Sequence, residues 1–221
     1  MVKGALFDLD GTLISSAKAW LNAEAEVFRN EGVELSEADQ METHGLKSIE
    51  SVSYHYTKIQ NPKKTAVELN IEVESSVLHE FGKSVQLKEG ILEVLQLLKD
   101  ENIPMAIASA SSFRFIKTAA EQFGIDTFFK FLYSSDFEDH GKPHPGIYIT
   151  AAKKLGIDPL KALAFEDSFY GILAAKAARI KTVALLDQGQ INNTKFDFAD
   201  MKIESFHNFG CKELEYFNNL I

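Results

Sequence analysis

The sequence predicts an α/β protein, a doubly wound parallel sheet with a smaller helical unit inserted into it, and three observations lead there. Five short apolar runs, at residues 5–7, 105–108, 131–133, 162–165 and 182–186, are continuously hydrophobic, as strands covered on both faces are. Amphipathic segments of helical period, at 91–98, 113–123, 147–155 and 172–178, lie between them. The first two runs are separated by about a hundred residues, far more than one crossover helix needs.

The composition fits. With 45% hydrophobic and 25% charged residues and only 5 Pro in 221, the chain can bury a sizeable core and is neither fibrous nor disordered. Its 32 acidic and 23 basic side chains leave −9, which repels nucleic acid and anionic membranes. Any phosphate must therefore be bound locally. Asp8 and Asp10 interrupt the apolar stretch that a signal peptide needs, and no segment approaches a membrane span. The lone Cys211 has no partner for an intramolecular disulfide, which fits a reducing compartment. A cytoplasmic monomer with no nucleic-acid or membrane partner is expected.

Taken in order, the first run ends in Asp8-Leu9-Asp10-Gly11-Thr12. Side chains two apart near a strand end point the same way, so both carboxylates can reach one cleft while Gly11 turns the chain behind them. Crowded carboxylates call for a hard divalent cation or a shared proton; a solvated Asp-Gly turn is the plainer alternative.

The insertion is placed at residues 15–84, between core segments 1–14 and 85–221. Ala17, Trp20, Leu21, Val27 and Phe28 form one helical stripe ahead of Gly32, and Ser36 suits a helix N-cap. A second long periodic segment spans 66–85. Trp20 is expected either in the core of this unit or lining a pocket. His55, His79 and His207 lack ligand spacing and are expected to be surface or packing residues.

The second core run ends in Ser109-Ala110-Ser111-Ser112, which serves either as a simple N-cap or as an anion site of hydroxyls and amides at a helix start. After the third run, Gly141-Lys142-Pro143-His144-Pro145 presents a lysine on a proline-stiffened loop; a solvated lysine is the alternative. The fourth ends in Glu166-Asp167-Ser168, a second carboxylate pair or an acidic first helical turn. All four motifs fall at the same edge of the sheet, where ligands of such folds bind. Together they supply a nucleophile, a hydroxyl, a fixed cation and spare carboxylates, the requirements of phosphoryl transfer through a carboxylate.

In this order the motifs resemble those of the haloacid dehalogenase superfamily, in its phosphatase and phosphomutase branch with a helical cap after the first motif. The likeness covers nearly the whole chain, and residues 199–206 are similar to the family's last strand and tail. The resemblance implies that Asp8 attacks phosphorus and becomes an aspartyl phosphate, and that Asp10 protonates the leaving oxygen and then activates water. It implies Mg2+ held by Asp8, the Asp10 carbonyl and Asp167, with Glu166 in or beside that shell. Ser109, the Ala110 amide and Lys142 would grip the phosphoryl oxygens, with Ser111 in the same substrate-binding run. The presence of Asp10 argues against dehalogenases, which lack an acid there, and against phosphonoacetaldehyde hydrolases, which use a Schiff-base lysine.

Within the superfamily the chain most resembles hexitol and 2-deoxyglucose 6-phosphate phosphatases, with β-phosphoglucomutases as cousins. The mutases place a lysine and an asparagine where this chain has Ser112 and Phe113, with Arg114 one residue on. The segment His44-Gly45-Leu46-Lys47-Ser48 resembles the cap's substrate loop, implying contacts from Gly45 and Lys47, the latter in place of the usual arginine. A second departure is Ser15-Ser16, where many relatives have an aspartate before the second serine. The implied activity is a Mg2+-dependent phosphatase of small phosphorylated metabolites, sugar or sugar-alcohol phosphates foremost. A phosphosugar mutase and a catalytically idle sugar-phosphate sensor are the alternatives.

Overall fold

The computed structural model describes residues 1–187 and 189–220. Its centre is a six-stranded parallel sheet of β1 (Gly4–Phe7), β2 (Met105–Ser109), β3 (Phe131–Ser134), β4 (Ala162–Glu166), β5 (Lys181–Leu185) and β6 (Met201–Ile203). The spatial order is β3-β2-β1-β4-β5-β6, so the chain winds outward from β1 in one direction and then returns to wind outward in the other. β1 thus lies at the switch point, where the loops leaving neighbouring strands diverge and open a crevice. Register sets Phe7 beside Ile107 and Phe165, so the residues that follow all three emerge at one level.

Helices α5 (Ile91–Asp100), α6 (Phe113–Gln122), α7 (Gly146–Leu155), α8 (Phe169–Ala177) and α9 (Cys211–Leu220) cover the sheet. Alternation along the strands divides the core. On one face Phe7, Ile107 and Phe165 are fully buried, with the Phe7 and Phe165 rings stacked at 4.5 Å. Burying one such side chain contributes roughly 1.5–3 kcal/mol. The other face is built from small residues, Ala106, Ala108 and Ala164, against Ala151, Ala152, Ala174 and Ala175. Small side chains here leave room for the large ring of Tyr148.

Between β1 and α5 lie α1 (Ala17–Asn30), α2 (Glu37–Met41), α3 (Ser48–Tyr56) and α4 (Ala66–His79). Ser36 caps α2 as expected, in a capping box with Asp39, and Thr65 and Glu68 do the same for α4. The chain leaves toward these helices and returns from them side by side: the Ser15 amide donates to the Gln86 carbonyl at 2.8 Å, and Ile14 bridges Leu87.

Two differences from the sequence expectation have physical causes. The segment 66–85 is helical only to His79; Phe81 and Val85 are buried through a turn at Gly82, whose φ of 76° favours glycine, so apolar spacing outlasts the helix. Helix α3 went unpredicted because Ser51 and His55 share its buried side with Val52, so hydrophobic periodicity does not reveal it. The strand within 199–206 is Met201–Ile203, at the sheet edge, and α9 is an addition.

Candidate active site

Asp8 follows β1 directly and is 5% exposed. One of its oxygens, Oδ1, accepts a hydrogen bond from Lys142 Nζ at 2.6 Å; the same ammonium donates to Glu166 Oε1 at 2.5 Å. Lys142 itself is 2% exposed, which rules out a solvated lysine. Tyr148, brought beneath it by α7, donates to Glu166 Oε1 at 2.5 Å and places its ring 5.3 Å from Nζ. Burial works against the charge on Lys142, but Asp8 and Glu166 outweigh it and hold the lysine well above its ordinary range.

Asp10 turns toward the inserted helices. Its Oδ1 accepts from Ser16 Oγ and Trp20 Nε1, both at 2.7 Å, and its Oδ2 accepts from Ser111 Oγ at 2.5 Å. A carboxylate with three donors, two from the start of α1 and one from the serine run after β2, is oriented before any ligand arrives. Gly11, at φ 75°, makes the turn between motif and helix, and a β-carbon there would overlap the Asp167 carboxylate. Glycine is therefore required twice over, for its backbone and for the close approach.

Asp8, Glu166 and Asp167 each offer an oxygen, and these lie within 4.8 Å of one another. Burial, reinforced by Glu166 and Asp10 and opposed by Lys142, pushes the Asp8 carboxyl up to about 7. Burial, then Asp8 and Glu166, holds Asp167 well above the usual carboxylate range. Lys142 pairs with Asp8 and Glu166 and not with Asp167, so the three carboxylates have one ammonium among them. Hard oxygen donors this close fit a divalent cation such as Mg2+ or Ca2+.

Ser109, Ala110 and Ser111 line the cavity as the strand-end motif suggested. Their tasks differ: Ser109 Oγ accepts from the Ser111 amide at 3.2 Å, while the Ser111 hydroxyl is committed to Asp10. The N-cap of α6 is Ser112, so capping and site building are divided within one serine run. Ser168 caps α8, and Asp167 precedes that helix without belonging to it.

A cavity opens between the strand ends and the inserted helices. Asp8, Asp10, Lys142 and Asp167 form its floor, and the inserted helices supply the opposite wall, including Trp20, Glu24 and the loop 43–46. Gly45 belongs to this wall, and its closest approach to the core is at Ser168, where a β-carbon would come within 2.6 Å of Oγ. Lys47 does not line the cavity. Its Nζ donates to the Glu138 carbonyl at 2.7 Å, and Glu50 Oε1 accepts from the Gly141 amide at 3.3 Å, so both tie the inserted helices to the loop that carries Lys142. Glu166 lies beneath the cavity as the partner of Lys142, Tyr148 and Ser168.

Several contributors were not assigned from sequence. Tyr148 sits within the amphipathic stretch 147–155 and looks like core; Ser16 stands out only in the Ser15-Ser16 departure, and the pocket-facing Glu24 carries no motif. Trp20 lines the cavity and donates to Asp10, while its ring packs at 5.1 Å against Phe115 of α6 and so meets the sheet domain as well as the inserted unit.

The family model described as haloacid dehalogenase-like hydrolase matches residues 5–185. Hexitol phosphatase B of Escherichia coli (strain K12) is 30% identical over 214 residues, 96% of each chain. Validoxylamine A 7'-phosphate phosphatase of Streptomyces hygroscopicus subsp. limoneus is 32% identical, with 84% of this chain and 86% of that one aligned. Among solved structures, β-phosphoglucomutase from Clostridium difficile superposes with a TM-score of 0.86 at 21% identity, covering 100% of this chain and 98% of that one. CbbY from Rhodobacter sphaeroides, in complex with phosphate, gives 0.85 at 24% identity over 97% and 100%. Fold, matched motif span and phosphatase relatives agree: the chain belongs to the haloacid dehalogenase-like hydrolase family, as a phosphatase.

Proposed function

We propose that the protein hydrolyses phosphate monoesters of sugars or sugar alcohols, with Mg2+, through an aspartyl phosphate on Asp8. The observation that carries this is the pairing of Asp8 and Asp10 on the floor of one cavity, with Lys142 fixing one oxygen of Asp8. The substrate class is supported by hexitol phosphatase B and by the phosphorylated carbohydrates phosphatase of Thermotoga maritima, 26% identical over 188 residues.

With Oδ1 tied to Lys142, the other Asp8 oxygen attacks phosphorus while the bond from phosphorus to the sugar oxygen breaks. Asp10, held by Ser16, Trp20 and Ser111, gives its proton to the departing oxygen. It then takes a proton from water, whose oxygen attacks phosphorus and releases phosphate from Asp8. Lys142 neutralises charge on the transferring phosphoryl oxygens, and Ser109 and the Ala110 amide complete that grip. Asp8, Asp167 and the Asp10 carbonyl would hold Mg2+, with Glu166 beside them. When bound, the metal supplies the remaining positive charge that lets a dianionic phosphate approach a carboxylate.

Residues 15–84 act as a cap, closed over the floor through Lys47 and Glu50, and closure keeps bulk water from the phosphoryl enzyme. Hydrolysis is favoured over mutase chemistry because Ser112 donates to Glu74, while Phe113 and Arg114 are exposed, and none of the three lines the cavity. A phosphate-release screen over phosphorylated hexoses, hexitols, pentoses and nucleotides, with and without Mg2+, tests the proposal. Release from sugar or sugar-alcohol esters that requires Mg2+ and vanishes in Asp8→Asn is expected. Full release by Asp8→Asn would refute it.

A further inference from the structure

The cap wall of the cavity has its own chemistry. Glu24 on α1 lines the cavity yet is only 7% exposed, a carboxylate placed inside the cap without a cation. Its Oε1 accepts from Ser51 Oγ at 2.7 Å and its Oε2 from Gln40 Nε2 at 3.2 Å. Gln40 is in turn fixed by donating to the Leu21 carbonyl at 2.8 Å, and Ser51 Oγ also lies 2.8 Å from Thr43 Oγ1. The carboxylate is therefore held rigidly, and because each oxygen accepts one protein hydrogen bond and has capacity for more, it presents spare acceptors to the cavity.

Charge on the cavity wall is one-sided. Among the described residues, Lys142 is the only lysine or arginine lining it, and its charge is already shared by Asp8 and Glu166. His44 also lines it, and burial pushes its imidazole toward the neutral form against the pull of Glu166 and Asp10. A phosphoryl group on the floor meets Lys142 and the carboxylate cluster that fits a metal. Among the described residues that line the cavity, nothing comparable stands near Glu24 to receive a second anion.

We propose that Glu24 is a specificity-determining residue: it accepts hydrogen bonds from hydroxyls on the uncharged remainder of the substrate and repels substrates whose remainder carries a second phosphate or a carboxylate. The inference rests on the phosphatase function proposed above and narrows it to monophosphates of neutral polyols. A hydroxyl can donate to a buried carboxylate, whereas an anion both lacks a proton to donate and adds like charge at low dielectric.

Two substrates of one carbon skeleton test it: glucitol 6-phosphate, which ends in a neutral hydroxymethyl group, and 6-phosphogluconate, which ends in a carboxylate. We expect kcat/KM to favour glucitol 6-phosphate by about thirtyfold or more, and Glu24→Gln to reduce that preference by about tenfold, because it removes the charge while keeping the shape. The ratio within one variant cancels any loss common to both substrates. Glu24→Asp, which keeps the charge on a shorter arm, should retain the preference while lowering kcat/KM for glucitol 6-phosphate.

A wild-type preference under about threefold, or one that stays within about twofold in Glu24→Gln, would overturn the inference. So would loss of the preference in Glu24→Asp. p-Nitrophenyl phosphate separates the two levels. If wild-type protein releases phosphate from it but treats the two hexose derivatives alike, the specificity role fails and the phosphatase function stands; if it releases phosphate from none of the three, both fall.

Discussion

Replacing Lys142 by methionine removes the one cation from a buried site and leaves two carboxylates behind. The Lys142 side chain is 1% exposed, that of Glu166 0% and that of Asp8 8%, with ion-pair distances of 2.5 and 2.6 Å. Breaking a buried pair by deleting one partner costs about 3–5 kcal/mol, a large part of the roughly 5–15 kcal/mol that holds a domain folded. The penalty has a definite pH dependence. Burial has already raised Asp8 from 3.8 to about 7 with the ammonium present, and losing the ammonium raises it further. A carboxyl raised on folding binds its proton more tightly in the native state, so stability falls as pH rises through that window. At pH 5 the protonated carboxyl hardly needs Lys142; at pH 8 it does. Each pKa unit is worth about 1.4 kcal/mol, so the deficit of Lys142→Met should be larger at pH 8 than at pH 5 by about 2 kcal/mol. Urea unfolding in EDTA at both pH values, with m checked for constancy, measures this. A deficit below about 1 kcal/mol at pH 8, or one equal at both pH values, would refute the reasoning.

Bound at Asp8 as proposed, Mg2+ would displace the proton that this carboxyl holds up to about 7, so its effect on thermal stability should depend on pH. At about a hundred times its dissociation constant it should raise Tm by roughly 5–10 °C at pH 8 and far less at pH 5.5, read by differential scanning calorimetry. Trp20→Phe keeps the packing on Phe115 but removes one of the three donors to Asp10, and kcat should fall about tenfold in steady-state assays while Tm barely moves. Lys47→Met cuts the bond to the Glu138 carbonyl that ties the cap to the Lys142 loop. A loss of about 1 kcal/mol there should lower kcat/KM roughly fivefold and speed amide exchange at residues 138–142.

The inner strands were legible because β1, β2 and β4 are wholly buried and therefore continuously apolar, a pattern that little else in a soluble chain produces. β6 was not legible from apolar pattern: two of its three residues are partly exposed, and only family resemblance pointed to residues 199–206. The floor motifs could be read because Asp8 and Asp167 follow directly on strands and Ser109 and Glu166 end them, where chain order fixes position in space. The wall opposite resisted the same treatment. Glu24, Gln40 and Ser51 come from three helices, and their hydrogen bonds span 16 and 27 residues, with nothing in local sequence to mark them as partners. Lys47 shows the converse limit, since its place in a substrate-loop motif did not reveal that its ammonium reaches across to a backbone carbonyl 91 residues away.

The central claim is that phosphate passes through Asp8. Rapid acid quench of the Mg2+-loaded enzyme turning over a ³²P-labelled sugar phosphate, followed by peptide mapping, tests it most directly. Label on the peptide that contains Asp8, removable by hydroxylamine as an acyl phosphate is and absent in Asp8→Asn, is the predicted result. Undiminished phosphate release by Asp8→Asn, or label on any other residue, would contradict it.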